Sequence, residues 1–210
     1  MSQATTTNGM RRLEPSDFPR AKALLGCAFY DYNLMVYSQP KDHRRLRAVA
    51  DLYGAMLWDC MCRGQAYATL DFSGITAWLR PGTDIPSFWQ QVRSGMLRLL
   101  PGFGLRGFRR LIDYDEVGRR MHHQYAHKSH WYLAAIAVDP DHQGRGIGSN
   151  LMTPILERAD AEGVPCWLDT HQEQNVRLYQ RHGFQVAECT APRGHQIPVY
   201  GMVRPPRSRS

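Results

Sequence analysis

The alternation of apolar and polar residues along the chain predicts both helices and strands in its first third. Residues 44–63 carry apolar side chains at helical spacing. An earlier helix is predicted to begin at Ser16 or Asp17, because either side chain can cap a helix. Two short apolar runs, 65–70 and 74–79, are separated by a turn and predict a β-hairpin. Helices are therefore expected to accompany an antiparallel strand pair.

The rest of the chain alternates strand patterns with helix patterns. Strands are predicted over 131–138, 165–169, 184–190 and 196–203, and helices over 146–162 and 174–182. Residues 86–127 carry two helical patterns that are interrupted at 101–104 by proline and glycine. We therefore expect a single domain over 9–203, with a helical insertion over 86–127 near the acceptor site and disordered tails over 1–8 and 204–210.

A glycine-rich loop joins the predicted strand 131–138 to the helix that follows it. Such a junction binds anions, because the first backbone N–H groups of a helix lack partners and the helix dipole is positive there. The loop contains Gly144, Gly146 and Gly148 but has no Gly-Lys-Ser/Thr sequence, so it is not a P-loop. It also lacks the third glycine of a dinucleotide fingerprint at the required spacing. A different phosphate ligand is therefore predicted.

Two motifs resemble those of the GNAT superfamily of N-acetyltransferases. Gln143-x-x-Gly146-x-Gly148 resembles the acyl-CoA pyrophosphate loop, and residues 175–184 resemble the second signature of that family. The resemblance covers residues 130–204 well and the first half loosely, and it is closest to the puromycin N-acetyltransferase-like branch. It implies a mixed α/β fold, in which helices flank a twisted, mostly antiparallel sheet with a splayed central strand pair.

The resemblance also implies acetyl-CoA as co-substrate, without a metal ion. Backbone groups of Ile136, Ala137 and Val138 are expected to pair with the pantetheine arm and to polarise the thioester carbonyl. The remaining expected contacts come from Asn175 and from the loop residues Gln143, Gly144, Arg145, Gly146, Ile147, Gly148 and Ser149. Arg145 either contacts phosphate or is a solvated loop residue.

Tyr179 is the residue that the resemblance assigns to acid catalysis. A phenol with a pKa of about 10 matches a thiol leaving group of similar acidity. The alternative interpretation is a tyrosine that packs its helix on the sheet. Asp169 lies where puromycin-type relatives usually carry glutamate, and its side chain is shorter by one methylene. The general base is therefore not assigned, and the candidates are Asp169, His171 and water.

Composition narrows the class of protein. The 210 residues carry a formal charge of +7, and none of their apolar runs reaches the ~18 residues of a membrane span. The five cysteines do not form a metal or redox motif, so we expect reduced thiols, mostly in the core of a cytoplasmic protein. Part of the charge is predicted to lie on a solvated helix face, made of Arg106, Arg109, Arg110, Arg119 and Arg120.

Four histidines cluster before the strand 131–138, at positions 122, 123, 127 and 130. They lack the acidic or cysteine partners of a metal site, so a solvated junction is expected there. No stacking platform for nucleic acid is found, and we expect neither a nucleic acid nor a membrane partner. The sequence leaves the oligomeric state open.

The leading hypothesis is an acetyl-CoA-dependent N-acetyltransferase that acts on a small-molecule amine by direct attack in a ternary complex. One alternative is acetylation of a protein or peptide, which the basic charge balance disfavours. A second alternative is a non-catalytic acyl-CoA-binding module. The acceptor site is expected to involve residues 30–37, the hairpin 72–79 and the segment 86–127.

Overall fold

A seven-stranded sheet forms the centre of the fold. The computed structural model describes residues 9–83, 96–126 and 129–207. The strands are β1 (Met10–Arg12), β2 (Gly64–Thr69), β3 (Gly74–Leu79), β4 (Trp131–Val138), β5 (Cys166–Thr170), β6 (Gln185–Thr190) and β7 (Val199–Arg204). Their order is β1-β2-β3-β4-β5-β7-β6, and every neighbouring pair except β4 and β5 is antiparallel. The predicted mixed α/β fold with a mostly antiparallel sheet is confirmed.

The parallel pair β4 and β5 separates soon after it starts. Trp131 pairs with Cys166 and Tyr132 with Trp167, and the ladder ends there. Strand β4 nevertheless continues to Val138 and stays paired with β3 on its other side. The far half of β4 therefore presents backbone N–H and C=O groups that β5 does not use. This is the splayed central pair that the sequence predicted.

A bulge in β4 accompanies this separation. Ala77 of β3 lies opposite Ala135, whereas the next residue, Trp78, lies opposite Leu133, so Ala134 is the additional residue. A bulge bends a strand and changes which face its side chains occupy. Leu133 accordingly belongs to one apolar cluster of the core, and Ala135 belongs to the other. The bulge thus turns the end of β4 away from β5.

Helices cover both faces of the sheet. They are α1 (Phe18–Ala28), α2 (Asn33–Ser38), α3 (Asp42–Arg63), α4 (Leu100–Tyr125), α5 (Ile147–Glu162) and α6 (Glu173–Arg181). The first four share one apolar cluster, which includes Leu25, Leu57 and Phe108. The last two contribute to a second cluster around Trp131 and Phe184 on the opposite face. Because each helix has one apolar stripe, the sheet is buried on both sides.

The acceptor-side segments differ in detail from the sequence predictions. No element was predicted for residues 30–37, and α2 occupies most of this stretch. The described part of the segment 86–127 is helical, and its predicted break lies at Gly104, whose φ of 68° interrupts α4. Residues 86–95 and 127 lie outside the described residues.

Several expectations about charge and cysteine need correction. Arg204 ends β7 and is 3% exposed, because its guanidinium binds both carboxylate oxygens of Asp160 at 2.7 Å; it is not part of a tail. Residues 1–8 and 208–210 lie outside the described residues. On the arginine face, Arg110, Arg119 and Arg120 bind Tyr37, Asp115 and Glu188 respectively, so this face is not simply solvated.

The five cysteines carry no disulfide, but they are not mostly core residues. Cys60 and Cys166 are buried, whereas Cys27, Cys62 and Cys189 are exposed. Among the described helices, none has the length and apolar character needed to cross a membrane.

Candidate active site

A cavity of 1910 Å³ lies where β4 and β5 separate. Its wall is formed by the end of β4, the glycine-rich loop, the end of β5 and the start of α6. The predicted site residues that line it are Ile136, Ala137, Val138, Gln143, Gly144, Gly146, Ile147, Gly148, Ser149, Asp169, Asn175 and Tyr179. Arg145 is the exception, because its guanidinium binds the carbonyl of Asp141 at 3.2 Å and does not reach the cavity wall.

The glycine-rich loop depends on backbone conformations that favour glycine. Gly144 and Gly146 have φ values of 78° and 79°, in the left-handed region, and Gly146 is the N-cap of α5. Space for a ligand is left beside both, because a Cβ built on either would have no atom within 4 Å. The first N–H groups of α5 are therefore presented without side chains in front of them, as an anion site requires.

Short polar contacts hold the loop against β4. The Asp139 carboxylate accepts a hydrogen bond from the Asp141 N–H at 2.9 Å, and the Gln143 side chain reaches the Val138 carbonyl at 3.4 Å. Further along, the Ser149 hydroxyl lies 2.9 Å from His182 Nε2, which ties the first turn of α5 to the end of α6. This contact therefore fixes the position of the anion site relative to the end of α6.

Asp169 lies at the end of β5, on the other side of the opening. The hydroxyl of Tyr132 donates a hydrogen bond to its carboxylate at 3.0 Å. Gly118 of α4 packs over it, with a built Cβ 3.9 Å from the carboxylate carbon. Burial raises the pKa of Asp169 above its usual value, although the hydrogen bond from Tyr132 acts in the opposite direction. A carboxylate with a raised pKa is a stronger base than a solvated one.

Tyr179 lies on α6 and lines the same cavity. It is 6% exposed, and its ring contacts Phe184 edge to face at 5.9 Å. Burial raises the pKa of Tyr179 well above that of a free phenol, with smaller contributions from Tyr32 and Asp169. The phenol is therefore protonated at neutral pH, which is the form a proton donor needs.

A hydrogen-bond network joins α6 to the acceptor side through Tyr32. The Asn175 amide binds the Thr170 hydroxyl at 3.3 Å, and that hydroxyl lies 3.1 Å from the hydroxyl of Tyr32. The same Tyr32 hydroxyl accepts the backbone N–H of His171 at 2.7 Å. Tyr32 was not predicted as a site residue, since only the aromatic character of residues 30–37 pointed to it.

His171, the alternative base, lines the cavity beside this network. Its Nδ1 atom lies 3.2 Å from the hydroxyl of Tyr32, and its ring contacts Tyr114 at 5.5 Å. Burial lowers the pKa of His171 to about 4, so the imidazole is neutral at pH 7. A group with so low a pKa is a weak general base at neutral pH.

The histidine cluster is solvated only in part: His123 is exposed as predicted, His122 and His130 are partly buried, and His127 lies outside the described residues. His122 and His130 contact each other through their Nε2 atoms at 2.8 Å, and the His122 ring packs against Trp167 at 5.9 Å. Burial, with the nearby His130 and His123, lowers the pKa of His122 to about 4. Within the part of the chain that the structure describes, no group of three or more His, Cys, Asp and Glu residues is placed to hold a metal ion.

Comparison with known proteins agrees with this geometry. Residues 104–184 match the sequence model of the acetyltransferase (GNAT) family. An uncharacterized N-acetyltransferase of Schizosaccharomyces pombe is 26% identical over 214 residues, which cover 95% of this chain and 84% of that protein. These matches make the chain similar to GNAT acetyltransferases over residues 104–184 and to an N-acetyltransferase over nearly its whole length. They do not confirm the puromycin N-acetyltransferase-like branch, which stays a prediction.

Solved structures of acetyltransferases share the fold. A structure described as histone acetyltransferase HPA2 and related acetyltransferase, from Corynebacterium glutamicum, has a TM-score of 0.67 and 20% identity, covering 96% of this chain and 97% of that one. The polyamine N-acetyltransferase of Drosophila melanogaster has a TM-score of 0.64 and 16% identity, with 93% and 98% covered. At this identity the likeness concerns the fold.

Proposed function

We propose that this protein is an acetyl-CoA-dependent N-acetyltransferase that acetylates the amine of a small molecule by direct attack in a ternary complex. The observation that carries the proposal is the cavity between β4 and β5. It combines an anion site, unpaired strand backbone, a buried carboxylate and a buried phenol on one wall. The family match, the puromycin-like motifs and the amine-acetylating fold neighbours support the same activity.

The chain's residues fit the co-substrate. The loop 143–148 and the first turn of α5 are proposed to hold the pyrophosphate, because left-handed Gly144 and Gly146 leave backbone N–H groups open to a ligand. The end of β4 is proposed to pair with the extended pantetheine arm, since its N–H and C=O groups are released by β5. The N–H of Val138 is assigned to polarise the thioester carbonyl.

The chemistry then needs one base and one acid. Asp169 takes a proton from the acceptor ammonium, and the neutral amine attacks the thioester carbonyl. A C–N bond forms and the C–S bond breaks, and the departing thiolate takes the phenolic proton of Tyr179. The Tyr179 phenolate then takes the proton that the attacking nitrogen loses, which completes the amide and restores the phenol, and Asp169 returns its proton to solvent. The raised pKa of Asp169 suits the first step, and protonated Tyr179 suits the third.

The acceptor is proposed to enter from the side of α2, α3 and α4. Tyr32, Tyr53, Leu111 and Tyr114 line that part of the cavity. From the hairpin 72–79, Leu79 lines the cavity, so this hairpin contributes less than the helices. A cytoplasmic location is part of the proposal, because the chain carries five cysteines without a disulfide.

Calorimetry with acetyl-CoA, followed by thiol release in the presence of small amines and of peptides, tests the function. We expect metal-independent binding and amine-dependent thiol release. Thiol release with peptides but not with small amines would establish the protein-acetylating alternative. Binding without release for any acceptor would establish the non-catalytic module.

A further inference from the structure

The carboxylates that line the cavity are unequal in their ability to bind a cationic substrate. Among the described lining residues, Asp169 is the acid without an ion pair. The other acids are near cations: Asp31 near Arg45 at 3.9 Å, Asp51 with Lys22 at 2.5 Å, Asp59 with Arg63, and Asp115 with Arg119 at 2.8 Å. Asp31 is 86% exposed and shares Arg45 with Asp42, which lies nearer at 2.5 Å, so it is a solvated acid at the rim. Among the lining acids of the described residues, Asp169 is therefore the one that neither pairs with a cation nor is mostly exposed to solvent.

Four buried tyrosines surround this carboxylate. Tyr32, Tyr53, Tyr132 and Tyr179 all lie within electrostatic range of Asp169, and all four line the cavity. Their phenols are neutral at pH 7, because burial raises the pKa of each. One carboxylate surrounded by neutral aromatic rings can hold a single ammonium group. The carboxylate attracts the charge, and the faces of the rings add cation–π contacts.

The wall beyond these tyrosines is apolar. It is formed by Phe29, Leu34, Met35, Phe108, Leu111 and Ile112. Phe29 stacks on Tyr53 at 3.8 Å with an interplanar angle of 6°, so this wall is continuous with the tyrosines. An apolar substituent gains from burial here, whereas a second charged group loses its hydration. The lining acid on α4, Asp115, already binds Arg119 at 2.8 Å.

We propose that the acceptor is a primary monoamine with an aromatic or aliphatic body, rather than a diamine or polyamine. This inference rests on the proposed acetyltransferase function and names its substrate class. The single unpaired carboxylate selects one ammonium, and the apolar wall selects the remainder of the molecule. A dication would place its second ammonium against Phe108 and Leu111.

Hexylamine and pentane-1,5-diamine provide a matched test on the wild-type protein. They have the same number of non-hydrogen atoms, and they differ in that a terminal methyl group is replaced by an ammonium group. At pH 7 we expect kcat/KM to be about 10²-fold higher for hexylamine. 2-Phenylethylamine is expected to be as good as hexylamine or better, because its ring stacks on the aromatic wall.

Leu111→Glu tests the apolar wall, because it places a second carboxylate in the cavity. We expect the preference for hexylamine to fall about tenfold. The control is Leu105→Glu, on the same helix α4, where the residue is 82% exposed and does not line the cavity. This control should keep the wild-type ratio. If Leu111→Glu does not fold, the comparison of hexylamine with pentane-1,5-diamine on the wild-type protein still tests the monoamine inference.

The outcomes separate this inference from the function on which it rests. A kcat/KM for the diamine equal to or above that for hexylamine overturns the monoamine inference and leaves the acetyltransferase activity established. Acetyl-CoA binding without thiol release for any amine overturns both. A wild-type ratio of about 10², reduced in Leu111→Glu and kept in Leu105→Glu, supports the monoamine class.

Discussion

The two halves of the cavity are built in different ways. On the co-substrate side, the loop 143–148 and the end of β4 present backbone groups, and the contacts that hold the loop join residues at most five apart in sequence. On the acceptor side, tyrosines from four separate parts of the chain lie around Asp169: Tyr32 before α2, Tyr53 on α3, Tyr132 on β4 and Tyr179 on α6. The Tyr32–His171 contact joins residues 139 positions apart.

This difference explains why the co-substrate side can be predicted from a sequence motif, whereas the acceptor side cannot. Backbone recognition of phosphate needs glycine at fixed spacing, because only glycine readily adopts the left-handed φ of Gly144 and Gly146. An aromatic wall needs only large rings that the fold brings together, and many sequences supply them. The co-substrate side is therefore expected to tolerate few changes, and the acceptor side to determine specificity.

The largest effect on function is expected from Tyr179→Phe. The ring and its contact with Phe184 remain, and only the hydroxyl is lost. General acid catalysis contributes about 10²–10⁴-fold, so turnover should fall within that range while acetyl-CoA affinity changes little. Steady-state thiol release and calorimetry measure the two quantities. Tyr67→Phe, outside the cavity, is the control, and turnover of Tyr179→Phe within twofold of wild type would limit Tyr179 to packing.

Asp169→Asn should lower turnover by about 10²-fold, at the lower end of general base catalysis. The wild-type rate should fall as pH decreases through the raised pKa of Asp169, because protonation removes the base. This acid limb should be missing from the variant. If the acid limb of the pH–rate profile is unchanged in the variant, the base is His171 or water.

The same variant should unfold less readily at pH 7. Because the folded-state pKa of Asp169 is raised, its ionised form is disfavoured in the folded protein, and this cost is present at every pH above the folded pKa. Asparagine carries no charge, so the free energy of unfolding of the Asp169→Asn variant at pH 7 should exceed that of the wild type. Chemical denaturation at pH 7 and pH 3 measures the difference, which should vanish at the lower pH.

Gly146→Val should weaken acetyl-CoA binding by about tenfold, since a residue with a Cβ loses about 1–2 kcal/mol in the left-handed region and the loop relaxes away from it. Gly163→Val is the matched control. Gly163 is the C-cap of the same helix α5, with a φ of 65°, and it does not line the cavity. The control should lose stability but keep its affinity. Equal affinities in the two variants would argue against backbone recognition by the loop.

The smallest effect on function is expected at His122, whose ring packs against Trp167 on the cavity wall. Its folded-state pKa of about 4 lies under the unfolded value of about 6.5, so stability is complete above pH 6.5 and decreases as pH falls toward 4. His122→Gln should remove most of this slope and leave turnover at pH 7.5 unchanged. Denaturation curves between pH 4 and 7 provide the check.

The sequence by itself determined the features that depend on nearby residues. Helices and strands followed from the apolar pattern, and the break at Gly104 from proline and glycine. The loop followed from its glycines, and Tyr179 and Asp169 were chosen through motifs that both lie within 45 residues of the loop. These features share a physical basis, since local backbone conformation and side-chain period are set by neighbours in the chain.

Only the tertiary structure decided how distant groups meet. The bulge at Ala134 is defined by the pairing of β4 with β3, and the cavity lies where β4 continues beyond its short ladder with β5. Folding placed Tyr32, Tyr53 and Tyr132 around Asp169, and the resulting burial raised the pKa of its carboxylate. Desolvation depends on every group packed around a charge, so the chemistry of Asp169 belongs to the folded molecule and not to its sequence neighbours.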